Sequence, residues 1–246
     1  AQCSRALPQL YAGSFGEALA SSEAAISLYD DGDYDLVTYG FGTDQLSIAR
    51  ATAAMAAFFA GDDRVDDFSN AAIEHSRRID SPISTAMTLN QAAMLALFAD
   101  DTDAAIRYVD EVWELSDRFG LPFFRMVSTL TRAAALSRLG DSESRNLAYD
   151  ALMSGRSGGN LGQTIGFLMV ALCEESCDNR VAAFDLAASA LDVVEQRGEK
   201  LLEVELLSLQ LRCQPGDAIA TDLARAINVA DARGAHGSAE QGRALL

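Results

Sequence analysis

Residues 97–122 read LFADDTDAAIRYVDEVWELSDRFGLP, and the punctuation of this stretch decides the fold. An apolar run ends at Phe98, an acidic turn follows, and an amphipathic segment begins after Asp101 and stops at Gly120. An aspartate ahead of a helix can accept bonds from the first-turn amides and suits the positive helix start. A glycine just past the end can take the left-handed conformation that closes it. Between the two, Ala105, Tyr108, Val109, Val112, Leu115, Ser116 and Phe119 recur at helical spacing. Arg107, Asp110, Glu111, Glu114 and Asp117 fall on the other face. Arg107 with Glu111 and Glu114 with Arg118 are spaced to pair one turn apart, each pair worth about 0.3 kcal/mol. Trp113 flanks the stripe; it is expected to pack on a neighbouring helix pair, the alternative being an aromatic anchor for a partner.

The same phrase recurs along the chain. The turns FFAGDDRV, LFADDTDA, SRLGDSES, EESCDNRV and RCQPGDAI carry Asp62, Asp101, Asp141, Asp178 and Asp217, at intervals of 39, 40, 37 and 39 residues. A second series, RRIDSPIS, DRFGLPFF, RSGGNLGQ, QRGEKLLE and DARGAHGS, carries Asp80, Gly120, Gly159, Gly198 and Gly234, at intervals of 40, 39, 39 and 36. Pro82 and Pro122 suit the first turn of the following helix, where no amide donor is needed. Two interleaved turn series with one period define a helix–turn–helix repeat near 40 residues. That is a little longer than the tetratricopeptide unit of about 34 residues and belongs to the same class of helical solenoid. The first helices, LSIARATAAMAAFFA, ISTAMTLNQAAMLALFA and FFRMVSTLTRAAALSRL, are apolar nearly all round, as expected of a layer covered on both sides. The expected fold is all-α: one domain over residues 1–246, a right-handed superhelical solenoid of TPR-like pairs with about 12–13 helices. An irregular loop near residues 30–42 interrupts the period, and the tail GSAEQGRALL reads as one further helix, a cap.

Composition agrees and narrows the function. With 4 prolines in 246 residues, long helices can run uninterrupted, and no stretch alternates apolar with polar as a strand would. The formal net charge of −17 disfavours direct binding to nucleic acid. Four scattered cysteines form no dense disulfide framework, no apolar run is long enough to span a bilayer, and no signal peptide is recognisable. A cytoplasmic setting is expected. The chain opens without methionine inside a helical stretch, AQCSRALPQLYAG, and reads as part of something longer.

YAGSFGEALASSEAAISLYD, a loop ending YGFG, FGLPFF, QRGEKLLEVELLSLQ and the terminal AINVADARGAHGSAEQGRALL follow one another in order. Taken together they resemble the C-terminal tetratricopeptide-like region of large bacterial signalling ATPases. Those proteins carry a class III adenylyl/guanylyl cyclase or a winged-helix domain, then an ATPase module, then such an array. The resemblance covers nearly the whole chain. It departs at YGFGTDQ, where Asp44 comes later than expected, and at the glycine-rich SGRSGGNLGQ. It implies that this chain is not the catalytic part, and that it senses a partner or restrains the ATPase.

Reaction chemistry is scarce in the sequence. The 2 histidines, His75 and His236, lie far apart, and there is no GxSxG elbow, HExxH helix or GxxxxGK[ST] loop. Cys173 and Cys177 in CEESC are one turn apart, but a zinc site wants four ligands, so a buried Cys173 and a turn Cys177 are expected. The run GRSGGNLG lacks the strand and lysine of a phosphate loop, and DDGDYD lacks the glutamate at the twelfth position of a calcium loop, where Phe41 stands. No cofactor, no metal and no enzymatic activity are expected of this chain, and its oligomeric state stays open. The first expectation is a protein–protein interaction scaffold whose concave groove binds a peptide or another domain of the parent protein through Gln45, Arg50, Asn90, Gln91, Arg125, Arg132 and Gln163. The alternative is a small-ligand sensor with a pocket near Tyr39, Phe41 and Arg50.

Overall fold

The computed structural model describes residues 3–29, 42–155 and 163–246, and among these the secondary structure is helical throughout, with thirteen helices and no strand. In chain order they are α1 Cys3–Tyr11, α2 Phe15–Leu28, α3 Gln45–Ala60, α4 Val65–Arg78, α5 Pro82–Phe98, α6 Thr102–Phe119 and α7 Pro122–Arg138. They continue as α8 Ser144–Gly155, α9 Gln163–Ser176, α10 Arg180–Arg197, α11 Glu203–Cys213, α12 Asp217–Ala232 and α13 His236–Arg243. The irregular loop near 30–42 and the marker Gly159 fall almost wholly outside the described residues.

Local chemistry sets most boundaries. Asp101 caps α6, its carboxylate accepting from the Ala104 N–H at 2.9 Å. Gly120 closes the same helix at φ +67°, and Gly198 and Gly234 do likewise at φ +69° and +79°. Pro82 and Pro122 each occupy a first helical position. The aspartate series is not uniform. Asp141 accepts from the amides of Glu143 and Ser144. Asp62 instead holds Arg64 of its own turn. Asp178 takes the left-handed closing position at φ +58°, and Asp217 is the first residue of α12, behind Gly216.

Consecutive helices pack on one another, and the first helices of successive pairs also touch: α3 with α5, α5 with α7, α7 with α9. This inner row is built from small side chains. In α3 the buried residues include Ala49, Ala53, Ala54, Ala56 and Ala57, which let neighbouring backbones approach closely. The main core runs from Leu10 to Ala239, and a smaller cluster of Ile73, Ala86, Leu89, Ala92 and Val112 joins α4, α5 and α6. On α6 the expected stripe buries Ala105, Val109, Val112 and Ser116, while Phe119 stays 45% exposed. Glu111 does not spend its charge along its own helix; both its oxygens accept from Arg77 of α4, at 2.7 Å.

The two ends of the array meet. Helix α13 packs against α11, α12 and α3. A Cβ on Gly237 would lie 2.7 Å from the Phe58 carbonyl oxygen and 2.9 Å from the Gly61 nitrogen, so only glycine fits there. The Gly16 N–H donates to the Arg233 carbonyl at 3.3 Å, and Arg233 Nη1 donates to the Ala12 carbonyl at 3.0 Å. The N-terminal hairpin α1–α2 is thereby tied to the turn before α13.

Candidate functional site

Two polar assemblies sit inside the apolar frame. The first joins α2, α3, α4 and α5. Asp44 caps α3, with Oδ2 accepting from the Ser47 N–H at 2.7 Å and lying 2.9 Å from His75 Nε2; Oδ1 accepts from the Tyr29 hydroxyl at 2.9 Å. Its own N–H donates to Ser84 Oγ, and the side chains of Asp44 and His75 are both 0% exposed. Arg78 Nη2 lies 2.9 Å from His75 Nδ1. A guanidinium only donates, so Nδ1 accepts and Nε2–H points at Asp44. Burial pushes the Asp44 carboxyl up, but the bonds from His75, Ser47 and Tyr29 outweigh it and hold the group down at about 2. Both imidazole nitrogens are committed, so this Asp–His pair has no nucleophile to activate. It is a fastening where the chain enters α3.

The second assembly is a central cavity of about 350 Å³. Three helix ends supply one side of it. Phe58, Phe98 and Arg138 stand 40 residues apart, each in the last turn of a first helix, and those turns converge. Phe58 and Phe98 form an aromatic wall, with ring centroids 6.1 Å apart. Leu168 and Leu172 of α9 and Val204 of α11 extend the apolar lining, and Ser238, Gln241 and Leu245 close it from the α13 end. Its volume falls within the range that small-molecule sites occupy, and its lining combines apolar walls with a few polar groups.

Its charged groups are unequal. Arg138 Nη1 donates to the Leu97 carbonyl and, at 2.8 Å, to Asp100 Oδ1. Arg212 makes a bidentate pair with Glu175, at 2.7 and 3.0 Å. Glu205 has no cation. Its Oε1 accepts from the Ser238 hydroxyl at 2.6 Å, while Oε2 is sealed from solvent and has no hydrogen-bond partner. Burial pushes this carboxyl up to about 7, against the opposing pull of the Ser238 bond. Glu205 also lines a second, smaller hollow beside Lys200, Glu203 and Arg233.

None of the seven residues expected in a groove lines this cavity. Gln45 and Gln163 are half-buried first residues of α3 and α9. Arg50 donates to the Ala71 carbonyl at 3.2 Å. Asn90 is buried, and its Oδ1 and Gln91 Oε1 lack hydrogen-bond partners. The structure brings together only Arg125 and Arg132: their guanidinium carbons lie 3.8 and 4.8 Å from the Trp113 ring centroid. Asp117 and Asp110 pair with these two arginines. Trp113 thus packs between neighbouring α6 and α7. The sensor pocket expected near Tyr39 and Phe41 lies outside the described residues, as do the DDGDYD segment and nearly all of GRSGGNLG. Cys173 is buried in α9 and Cys177 half-buried in the turn after it. Among the described residues no three His, Cys, Asp or Glu side chains are grouped to hold a metal, and no helix is long and apolar enough to cross a membrane.

Sequence reasoning missed Glu205, Arg138 and Arg212 as site residues. One signal existed: a glutamate between Val204 and Leu206, within the mostly apolar run VELLSL. No protein-family model matches the chain, and no curated protein matches it.

Proposed function

We propose that this chain is a non-catalytic regulatory module that holds a small molecule at the centre of its helical array. In this reading the helix pairs form a right-handed, TPR-like superhelix, and the array works in the cytoplasm as one region of a larger signalling ATPase of the cyclase or winged-helix type. Occupancy of the centre is passed to a protein partner or to other domains of the parent through the seating of α13. The observation that carries it is the cavity under α13, with an aromatic wall on one side and polar groups converging from α7, α11 and α13 on the other. A ligand that binds the closed array and not the open chain stabilises closure by mass action. The reading is tested by thermal unfolding against a metabolite panel. One member is expected to raise the melting temperature at concentrations near its Kd. A flat response across the panel, with solvent probes entering and leaving the cavity freely, would count against it.

A protein-interaction scaffold is the second reading. It is favoured by the apolar side chains Ile83, Phe119 and Phe123, which are 38%, 45% and 60% exposed at the turns between pairs. Co-elution of the chain with the ATPase fragment of its parent, lost on Phe123→Asp, is the result this reading requires.

A further inference from the structure

The central cavity has one unbalanced charge, and that imbalance indicates what it would take. Resting on the small-molecule reading above, we propose that the cavity binds a small organic cation, a protonated amine with an apolar or aromatic body, with its ammonium on the Glu205 carboxylate.

Each cation around the site already has a partner. Arg138 is held by Asp100 and the Leu97 carbonyl, and Arg212 by both oxygens of Glu175. In the adjoining hollow, Lys200 Nζ donates to both oxygens of Glu203, and Arg233 donates to the Ala12 carbonyl. His236 on α13 faces Asp231. Of the two carboxylates that line the cavity, Asp100 is held by Arg138, while Glu205 has no cation and its Oε2 has no hydrogen-bond partner. A buried carboxylate in that condition is costly, and the cost is relieved by a proton or by a donor cation. An anionic ligand would add like charge beside Glu205 and find the arginines already neutralised. Phe58 and Phe98 supply faces that suit both an apolar body and a neighbouring ammonium. The net charge of −17 draws cations toward the molecule as a whole. Because the ammonium and the proton compete for one carboxylate, amine binding displaces a proton where Glu205 is still protonated.

The test uses the full 246-residue chain and a matched set of probes. Hexylamine, phenethylamine and tyramine are compared with carboxylates and alcohols of the same carbon frames. Binding is read by calorimetry and melting temperature at pH 8 and pH 5.5. At least one amine is expected to bind at pH 8 about tenfold or more tighter than its carboxylate and alcohol counterparts. Its affinity should fall at pH 5.5, and in two buffers of different ionisation heat near pH 6.5 it should release a proton. Glu205→Gln should weaken the amine about tenfold or more, and Asp222→Asn, which removes one acid from the exposed side of α12 away from the cavity, should not. Should Glu205→Gln fail to fold, the pH series and the proton count on the unmodified chain decide the matter alone. Equal binding of alcohol or carboxylate, or amine binding indifferent to pH, overturns the cation assignment and leaves a cavity for some other small molecule. If no amine binds and the metabolite panel is also silent, the small-molecule reading falls with it.

Discussion

Asp44 is a buried acid and Glu205 a half-buried one with a sealed Oε2, and their environments drive them in opposite directions. The folded carboxyl of Glu205 titrates at about 7, well above an unfolded glutamate near ~4.3. Its contribution to stability is complete below about pH 4 and is lost as pH rises through about 7. Glu205→Gln should therefore raise the melting temperature near pH 8 and flatten the profile between about pH 4 and 8; a lower melting temperature near pH 8 would contradict this. Asp44 is held down at about 2, below an unfolded aspartate near ~3.9. Its contribution is present above about pH 4 and is lost as pH falls through about 2. Asp44→Asn should cost roughly 2 kcal/mol in urea unfolding at neutral pH and almost nothing near pH 2. These residues were poorly legible in the sequence for a physical reason. Asp44 and His75 are 31 positions apart and meet only after α3 and α4 have folded back on each other. Glu205 becomes exceptional only when α13 arrives to cover it.

Helix ends were the most legible level, because they depend on local backbone chemistry. A proline in a first turn or a glycine past a last turn needs no knowledge of distant residues, and Pro82, Pro122, Gly120 and Gly198 all stand where that chemistry puts them. The aspartates look alike in the repeat but behave differently, and this gives a contrast to measure. Asp101→Ala removes a cap from α6 and should cost about 1 kcal/mol in chemical denaturation. Asp62→Ala, which disturbs only an exposed turn with Arg64, should cost less than about 0.5 kcal/mol. Equal costs would mean that the two turns are built the same way. Charge pairing along helices was misjudged. Spacing within α6 offers Glu111 to Arg107, but packing of α4 beside α6 presents Arg77, and the charge-assisted contact of its Nη2 with both Glu111 oxygens wins. Similarly, Arg125 and Arg132 are polar letters on a first helix, yet Trp113 and two aspartates of α6 claim them.

At the scale of the molecule, the succession of helices could be read from the sequence and the meeting of its ends could not. The period reports that each pair leans on the next; the angle between pairs, which decides whether the ends meet, accumulates from side-chain volumes along the whole inner row. Closure is visible instead in glycines whose purpose is obscure in one dimension: Gly16 beside Gly234, and Gly237 against Gly61 and the Phe58 carbonyl. Gly237→Val should unseat α13, lower the melting temperature and expose the central cavity, seen as faster hydrogen exchange in α13 and at Val204 and Leu206. The measurement that bears most directly on the whole account is small-angle X-ray scattering of the unmodified chain, on a monomeric fraction. A closed array of this length should give a radius of gyration of about 18 Å and a compact distance distribution. A value above about 22 Å, with the long tail of an open spiral, would contradict the meeting of the ends and the cavity that depends on it.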